Sequence, residues 1–176
     1  MKTAIALGVI FSLAGCASRS DLSTVAGVDL DRYQGRWYEI ARVPNSFQRH
    51  CAGNVTAEYT AQPDGSIRVV NRCVREDGSP EQAVAKAKPV PGSRNAKLRV
   101  NFGVPFATGD YWVLALDETD YQWSLVGHPS RKYLWILSRM PTMDDALYNR
   151  IVARAVALGY DAAQFERTPQ NTRPSP

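Results

Sequence analysis

The side chains able to do covalent or proton-transfer chemistry are few in this 176-residue chain: three cysteines, Cys16, Cys51 and Cys73, and two histidines, His50 and His128. Ser130 and Asp120 stand near His128 along the chain, the residue types of a nucleophile, a base and an orienting acid. No Gly-x-Ser-x-Gly turn frames a serine. His50 falls in a loop after the first strand and His128 in a turn, so both read as exposed loop residues. A catalytic Cys51 would have to be free and activated. A metal centre would need more ligands than two thiols, and only the two imidazoles are available to join them. No catalytic residue, metal ligand or cofactor is expected, and the chain reads as a non-enzyme.

Cys16 is set apart by what precedes it. Lys2 is followed by an apolar run from Thr3 to Leu13, a charged n-region and a short h-region of a secretory signal. The run is about half the roughly 20 residues that a membrane-spanning helix needs. It ends in Leu13-Ala14-Gly15-Cys16, which resembles a bacterial lipobox. That resemblance implies cleavage after Gly15 and acylation of Cys16 as the new N-terminus, with residues 1–15 as the signal. Ala17, where an Asp would imply inner-membrane retention, implies the outer membrane, facing the periplasm. Residues 16–28 then read as a lipidated N-terminus and tether, and residues 168–176, with three prolines, as a flexible tail.

Export to an oxidising compartment makes a Cys51–Cys73 disulfide the expected use of the remaining thiols. The pattern around them agrees. Val55, Ala57 and Tyr59 alternate with Thr56, Glu58 and Thr60; Gln62-Pro63-Asp64-Gly65 is a turn signal; Ile67 and Val69 flank Arg68. Two such strands make a hairpin. Paired numbers summing to about 127 would set Cys73 against Asn54, with Cys51 just beyond, so a bulge brings the sulfurs together. Closing that loop contributes about 3 kcal/mol in the chain-entropy model.

Residues 29–167, about 140 in all, suit a single domain with a real core. The formal charge of +4 is spread without a dense Lys/Arg tract, which argues against nucleic-acid binding. Alternation continues through 83–88, 97–102, 111–116, 122–126 and 133–138. With 35–43 in front, eight strands joined mostly by short turns predict an all-β, antiparallel up-and-down arrangement. One α-helix is expected at about 143–158, N-capped by Thr142, stopped by Gly159 and packed outside the sheet through Leu147, Ile151, Ala155 and Leu158.

Eight antiparallel strands can close into a β-barrel whose interior holds one small ligand. The inward set is Ala57, Tyr59, Ile67, Val69, Ala83, Ala85, Ala87, Leu98, Val100, Phe102, Tyr111, Val113, Ala115, Ser124, Val126, Tyr133, Trp135 and Leu137. Its alanines leave room where a filled core would favour larger residues. Patterning alone leaves a cavity and a packed sandwich core equally open.

Two motifs decide between them. Gly35-Arg36-Trp37-Tyr38-Glu39 resembles the Gly-x-Trp signature of the lipocalin family, and Tyr133-Leu134-Trp135-Ile136-Leu137-Ser138-Arg139 its last-strand signature. The chain is most similar to the branch that holds bacterial outer-membrane lipoprotein lipocalins and apolipoprotein D, and the likeness spans essentially the whole mature domain. It implies a calyx whose closed end is plugged by Trp37 under Arg139, with Gly35 allowing the entry bend. The usual Thr-Asp-Tyr near the sixth turn reads Leu116-Asp117-Glu118, so only Asp117 matches there.

The resemblance further implies reversible binding of a fatty acid or lysophospholipid. The candidate ligand contacts are Ala57, Tyr59, Ile67, Val69, Ala85, Leu98, Val100, Phe102, Tyr111, Val113, Tyr133, Trp135 and Leu137. Arg42 and Arg72 are weaker candidates for a head group. The expected partners are therefore a small lipophilic ligand and, through the anchor, the membrane; a homodimer is left open. The rival readings are a structural or partner-binding lipoprotein with a filled barrel, and a lipocalin-fold enzyme.

Overall fold

The computed structural model describes residues 22–104 and 108–170. Signal residues 1–15 and Cys16 lie outside them. Eight strands follow one another: β1 (Gly35–Arg42), β2 (Cys51–Ala61), β3 (Ile67–Arg75), β4 (Pro80–Pro89), β5 (Lys97–Asn101), β6 (Thr108–Leu116), β7 (Trp123–Gly127) and β8 (Leu134–Ser138). Each pairs antiparallel with the next, and β1 pairs with both β2 and β8. The sheet thus closes on itself as an eight-stranded barrel, which leaves no long edge unpaired.

The closure is shared along β1. Its first half, Gly35 to Tyr38, pairs with Tyr59 to Thr56, and its second half pairs with β8 across an irregularity between Glu39 and Ala41. Past Tyr38, β1 and β2 separate. A ninth, two-residue strand, β9 (Glu166–Arg167), fills that seam by pairing with Ala41 and Arg42. The chain continues with Thr168 N–H donating to Ile40 O (2.9 Å), and Asn54 N–H donating to Pro169 O (2.8 Å). Gln170 Nε2 donates to the carbonyls of Glu39 (2.9 Å) and Val55 (2.8 Å). A Cβ added at Gly53 would stand 2.7 Å from Pro169 O, so the seam needs glycine there. Residues 168–170, expected in a free tail, are therefore part of the barrel wall, because they satisfy backbone groups that β1 and β2 leave open.

The other end of the domain is likewise longer than expected. Residues 22–28, assigned to the tether, pack on the barrel: Leu22 is buried in the outer cluster, Val28 in the inner one, and Val25 N–H donates to Val113 O (3.0 Å). A single-turn helix, α1 (Leu30–Tyr33), follows and leads into β1.

Two apolar layers result. One fills the lower barrel around Trp37, Tyr33, Ile67, Leu98 and Val113. The other lies outside it, where α2 (Asp145–Ala157) sets Ile151 and Ala155 against Ile40, Leu125, Leu134 and Ile136. The helix starts later than Thr142 would have it. Asp144 is the N-cap, its carboxylate accepting from the N–H groups of Ala146 and Leu147, and a carboxylate there also meets the positive end of the helix dipole.

Candidate functional site

Trp37 is fully buried at the closed end. Arg139 sits with its guanidinium carbon 3.9 Å from the indole centroid. The same guanidinium donates to the carbonyls of Arg32 (2.6 Å), Gln34 (2.8 Å) and Arg36 (2.9 Å), and Nε to Tyr121 O (3.3 Å). Gly35 has φ +86°, a conformation that costs a residue with a Cβ. Trp37 Nε1 donates to Tyr33 O (2.8 Å), so α1 is tied to the plug.

Above the plug lies a short polar layer. Tyr111 Oη stands 2.8 Å from Tyr33 Oη and 2.9 Å from Tyr59 Oη, and the Tyr33 hydroxyl donates to Ser124 Oγ (2.9 Å). Burial pushes the Tyr33 phenol up to about 12 and raises those of Tyr59 and Tyr111 well above the ordinary phenol value, because the phenolate would lose its hydration. All three stay neutral, and each hydroxyl is satisfied within the layer.

Beyond the hydroxyls the barrel is hollow. A cavity of about 570 Å³ runs to the open end, within the range of small-molecule sites. Ala57, Tyr59, Val69, Leu98, Val100, Phe102, Tyr111, Tyr133, Trp135 and Leu137 line it. Three expected contacts do not: Ile67 and Val113 are buried in the layer that packs on the plug, and Ala85 is buried in the same cluster. Ala115 does not face inward at all. A register shift between Val113 and Ala115 turns it into the outer cluster, as one extra residue in a strand reverses its faces. Phe102 reaches the cavity from the rim, 41% exposed.

The mouth holds groups that periodicity did not find. Glu39 points into the cavity wall yet is only 3% exposed. Its carboxylate accepts from Arg42 Nη1 (2.8 Å), Gln48 Nε2 (2.8 Å) and Thr168 Oγ1 (2.6 Å). Gln48 in turn accepts from Trp135 Nε1 (2.9 Å), and Phe47 lies against Tyr133 and Trp135. The 43–50 loop is thus clasped across the mouth by one amide. Arg42 is committed to Glu39 and does not line the cavity; Arg72 does, paired to Glu58 (2.7 Å).

The Cys51–Cys73 disulfide is formed, with Cα atoms 5.6 Å apart. Paired numbers sum to 128 through most of the hairpin, and two register shifts between Cys51 and Thr56 supply the bulging that brings the sulfurs together. The enzyme-like residues do not assemble. His128 Nδ1 lies 2.8 Å from Ser130 Oγ within one tight turn at the open end, whereas Asp120 lies in the turn between β6 and β7, at the closed end.

A hollow barrel plugged by tryptophan under arginine is the lipocalin arrangement, and the comparisons agree. A family model described as a lipocalin-like domain matches residues 28–170. This chain belongs to the lipocalin family. It is 43% identical to temperature-induced lipocalin-1 of Arabidopsis thaliana over 164 residues, covering 89% of this chain and 87% of the relative. It is 38% identical to the outer membrane lipoprotein Blc of Escherichia coli strain K12, covering 88% of each. Among solved structures, insecticyanin from the tobacco hornworm Manduca sexta superposes with a TM-score of 0.71 at 22% identity, over 87% of this chain and 86% of that one. Kinship therefore reaches both a plant lipocalin and a bacterial outer membrane lipoprotein.

Proposed function

We propose that this lipocalin is an outer-membrane-anchored lipoprotein that reversibly binds fatty acids or lysophospholipids, for storage or transport in membrane maintenance. The observation that carries the reading is the cavity, hollow and walled chiefly by aliphatic and aromatic side chains above a sealed base. Each methylene buried there contributes about 0.8 kcal/mol, so an acyl chain gains along its length. A head group would remain at the mouth, near Arg72, His50 and Asp110. The role is binding without a catalytic step. Relatives named as outer membrane lipoproteins support the location, together with the lipobox-like Leu13-Ala14-Gly15-Cys16.

Displacement of a fluorescent fatty acid from the folded domain by lysophospholipid tests the binding. Micromolar displacement is expected; a well-folded domain that neither takes up the probe nor yields it to any acyl lipid overturns the proposal. For the anchor, mass spectrometry of membrane-extracted protein should find a mature chain that begins at acylated Cys16, and Cys16→Ser should abolish both processing and membrane association.

A further inference from the structure

The disulfide has company that its own cross-link does not require. His50 immediately precedes Cys51, and Glu81 on β4 is the cross-strand partner of Cys73 on β3. His50 Nε2 lies 2.8 Å from Glu81 Oε1, and Arg75 holds the other Glu81 oxygen. A ring nitrogen of His50 and the sulfurs of Cys51 and Cys73 all lie within 4.8 Å of one another. His50, Cys51, Cys73 and Glu81 all line the cavity mouth. Two sulfurs, an imidazole and a carboxylate are the donor set of a tetrahedral, borderline-soft divalent cation.

We propose that, once the disulfide is reduced, Cys51, Cys73 and His50 form a binding site for a zinc-class divalent cation, with Glu81 as fourth ligand or as the carboxylate that orients the imidazole. The reductant is a dithiol. Two electrons pass to the Cys51–Cys73 bond, which breaks; the dithiol closes to its own disulfide; its two protons leave both cysteines as thiols. The cation then displaces the two thiol protons to solvent. Zinc–sulfur bonds of about 2.3 Å around a tetrahedral ion need the sulfurs roughly 3.8 Å apart. Cα atoms 5.6 Å apart allow that by side-chain rotation alone. The disulfide and the metal are mutually exclusive, and either one ties the start of β2 to the end of β3. Carboxylate-held imidazoles are the usual form of histidine at zinc, and His50 already has its carboxylate.

The test uses the mature domain, reduced with a phosphine, desalted without air and titrated first with Co²⁺ and then with Zn²⁺. The expected result is one Co²⁺ per chain with thiolate-to-cobalt charge-transfer absorbance, displaced by one equivalent of Zn²⁺. Unreduced protein should show none of this, and His50→Ala in the reduced state should weaken binding at least about tenfold. Reduced, natively folded protein that takes up no Co²⁺ overturns the proposal, and so does a His50→Ala variant that binds as the parent does. If reduction unfolds the domain, recovery of the native circular dichroism on adding Zn²⁺ supports the site, and failure to recover it overturns the site.

Discussion

The guanidinium of Arg139 stands 3.9 Å from the centre of the Trp37 indole; Trp37 lies on the first strand of the closed barrel, and Arg139 directly follows the last barrel strand, β8. One side chain therefore caps the plug and fastens the carbonyls of Arg32, Gln34 and Arg36 around it. Arg139→Ala removes the cation–π contact and takes the guanidinium donor from the partly buried Gln34 and Tyr121 carbonyls, and should cost about 3 kcal/mol. Arg139→Lys should recover less than half of that, because an ammonium cannot reproduce the planar fork. Urea midpoints of the two variants check both figures.

The seam between β1 and β2 predicts a role for residues beyond 167. A chain ending at Arg167 loses the bonds from Thr168 to Ile40, from Asn54 to Pro169 and from Gln170 to Glu39 and Val55. Hydrogen exchange of the Asn54 amide should then accelerate far more than that of the β6–β7 amides. Thr168→Val removes one acceptor bond of the buried Glu39 carboxylate and should cost about 1–2 kcal/mol. Gly53→Ala should reproduce the truncation in milder form, since the added methyl meets Pro169 O at 2.7 Å.

These contacts mark the boundary of what the sequence alone discloses. Eight strands and a helix are legible because period two and period 3.6 repeat over several residues. The plug is legible because Gly35, Trp37 and Arg139 sit in signatures. The seam is not, because its bonds, two between main-chain groups and two from the Gln170 amide to main-chain carbonyls, join residues more than 100 apart in sequence. Residues 22–28 pack without any period, so their burial leaves no pattern to read. A bulge moves Ala115 to the outer face, and no composition rule marks it. The cavity lining is mostly legible, but its depth is not. Whether Ile67 and Val113 touch ligand or pack on the plug depends on how far down the barrel the aromatic layer reaches, and Tyr33, from the overlooked α1, sets that height.

The hydroxyl layer predicts an alkaline signature. Burial raises the phenols of Tyr33 and Tyr160 to about 12, and holds those of Tyr59 and Tyr111 well above the ordinary phenol value. For these groups the folded pKa exceeds the unfolded one near 10. Their stabilisation is therefore complete below pH 10 and is lost as the pH rises through 12. A titration of phenolate absorbance should show four of the chain's eight tyrosines silent at pH 11, appearing only as the protein unfolds. Full ionisation by pH 11 in folded protein would contradict the layer.

His128 predicts a second pH dependence, of opposite sense. Desolvation at the cavity mouth holds its pKa below 6.5, with Asp110 opposing that shift and Arg99 adding to it. Below pH 6.5 the unfolded chain takes up the proton before the folded one does, so stability falls with falling pH until the folded imidazole titrates, then levels. The imidazole proton resonance of His128 should titrate below pH 6.5, and His128→Gln should flatten the slope of stability between that midpoint and pH 6.5.

Occupation of the cavity can be separated from occupation of any outer surface by filling it. Val100 lies on β5, lines the cavity and is only partly buried by its neighbours. Val100→Trp should project the indole into the hollow space and displace the volume that an acyl chain would use. Overpacking in filled cores costs roughly 1–3 kcal/mol, but here the ring enters empty space, so the melting temperature should change by no more than about 5 °C. Affinity for a fluorescent fatty acid should fall at least about tenfold, equivalent to some 1.4 kcal/mol. Val156→Trp, on the exposed face of α2, serves as the control and should leave affinity unchanged. Equal affinity in Val100→Trp and the parent would place the lipid outside the barrel, and loss in Val156→Trp alone would place it on the helix.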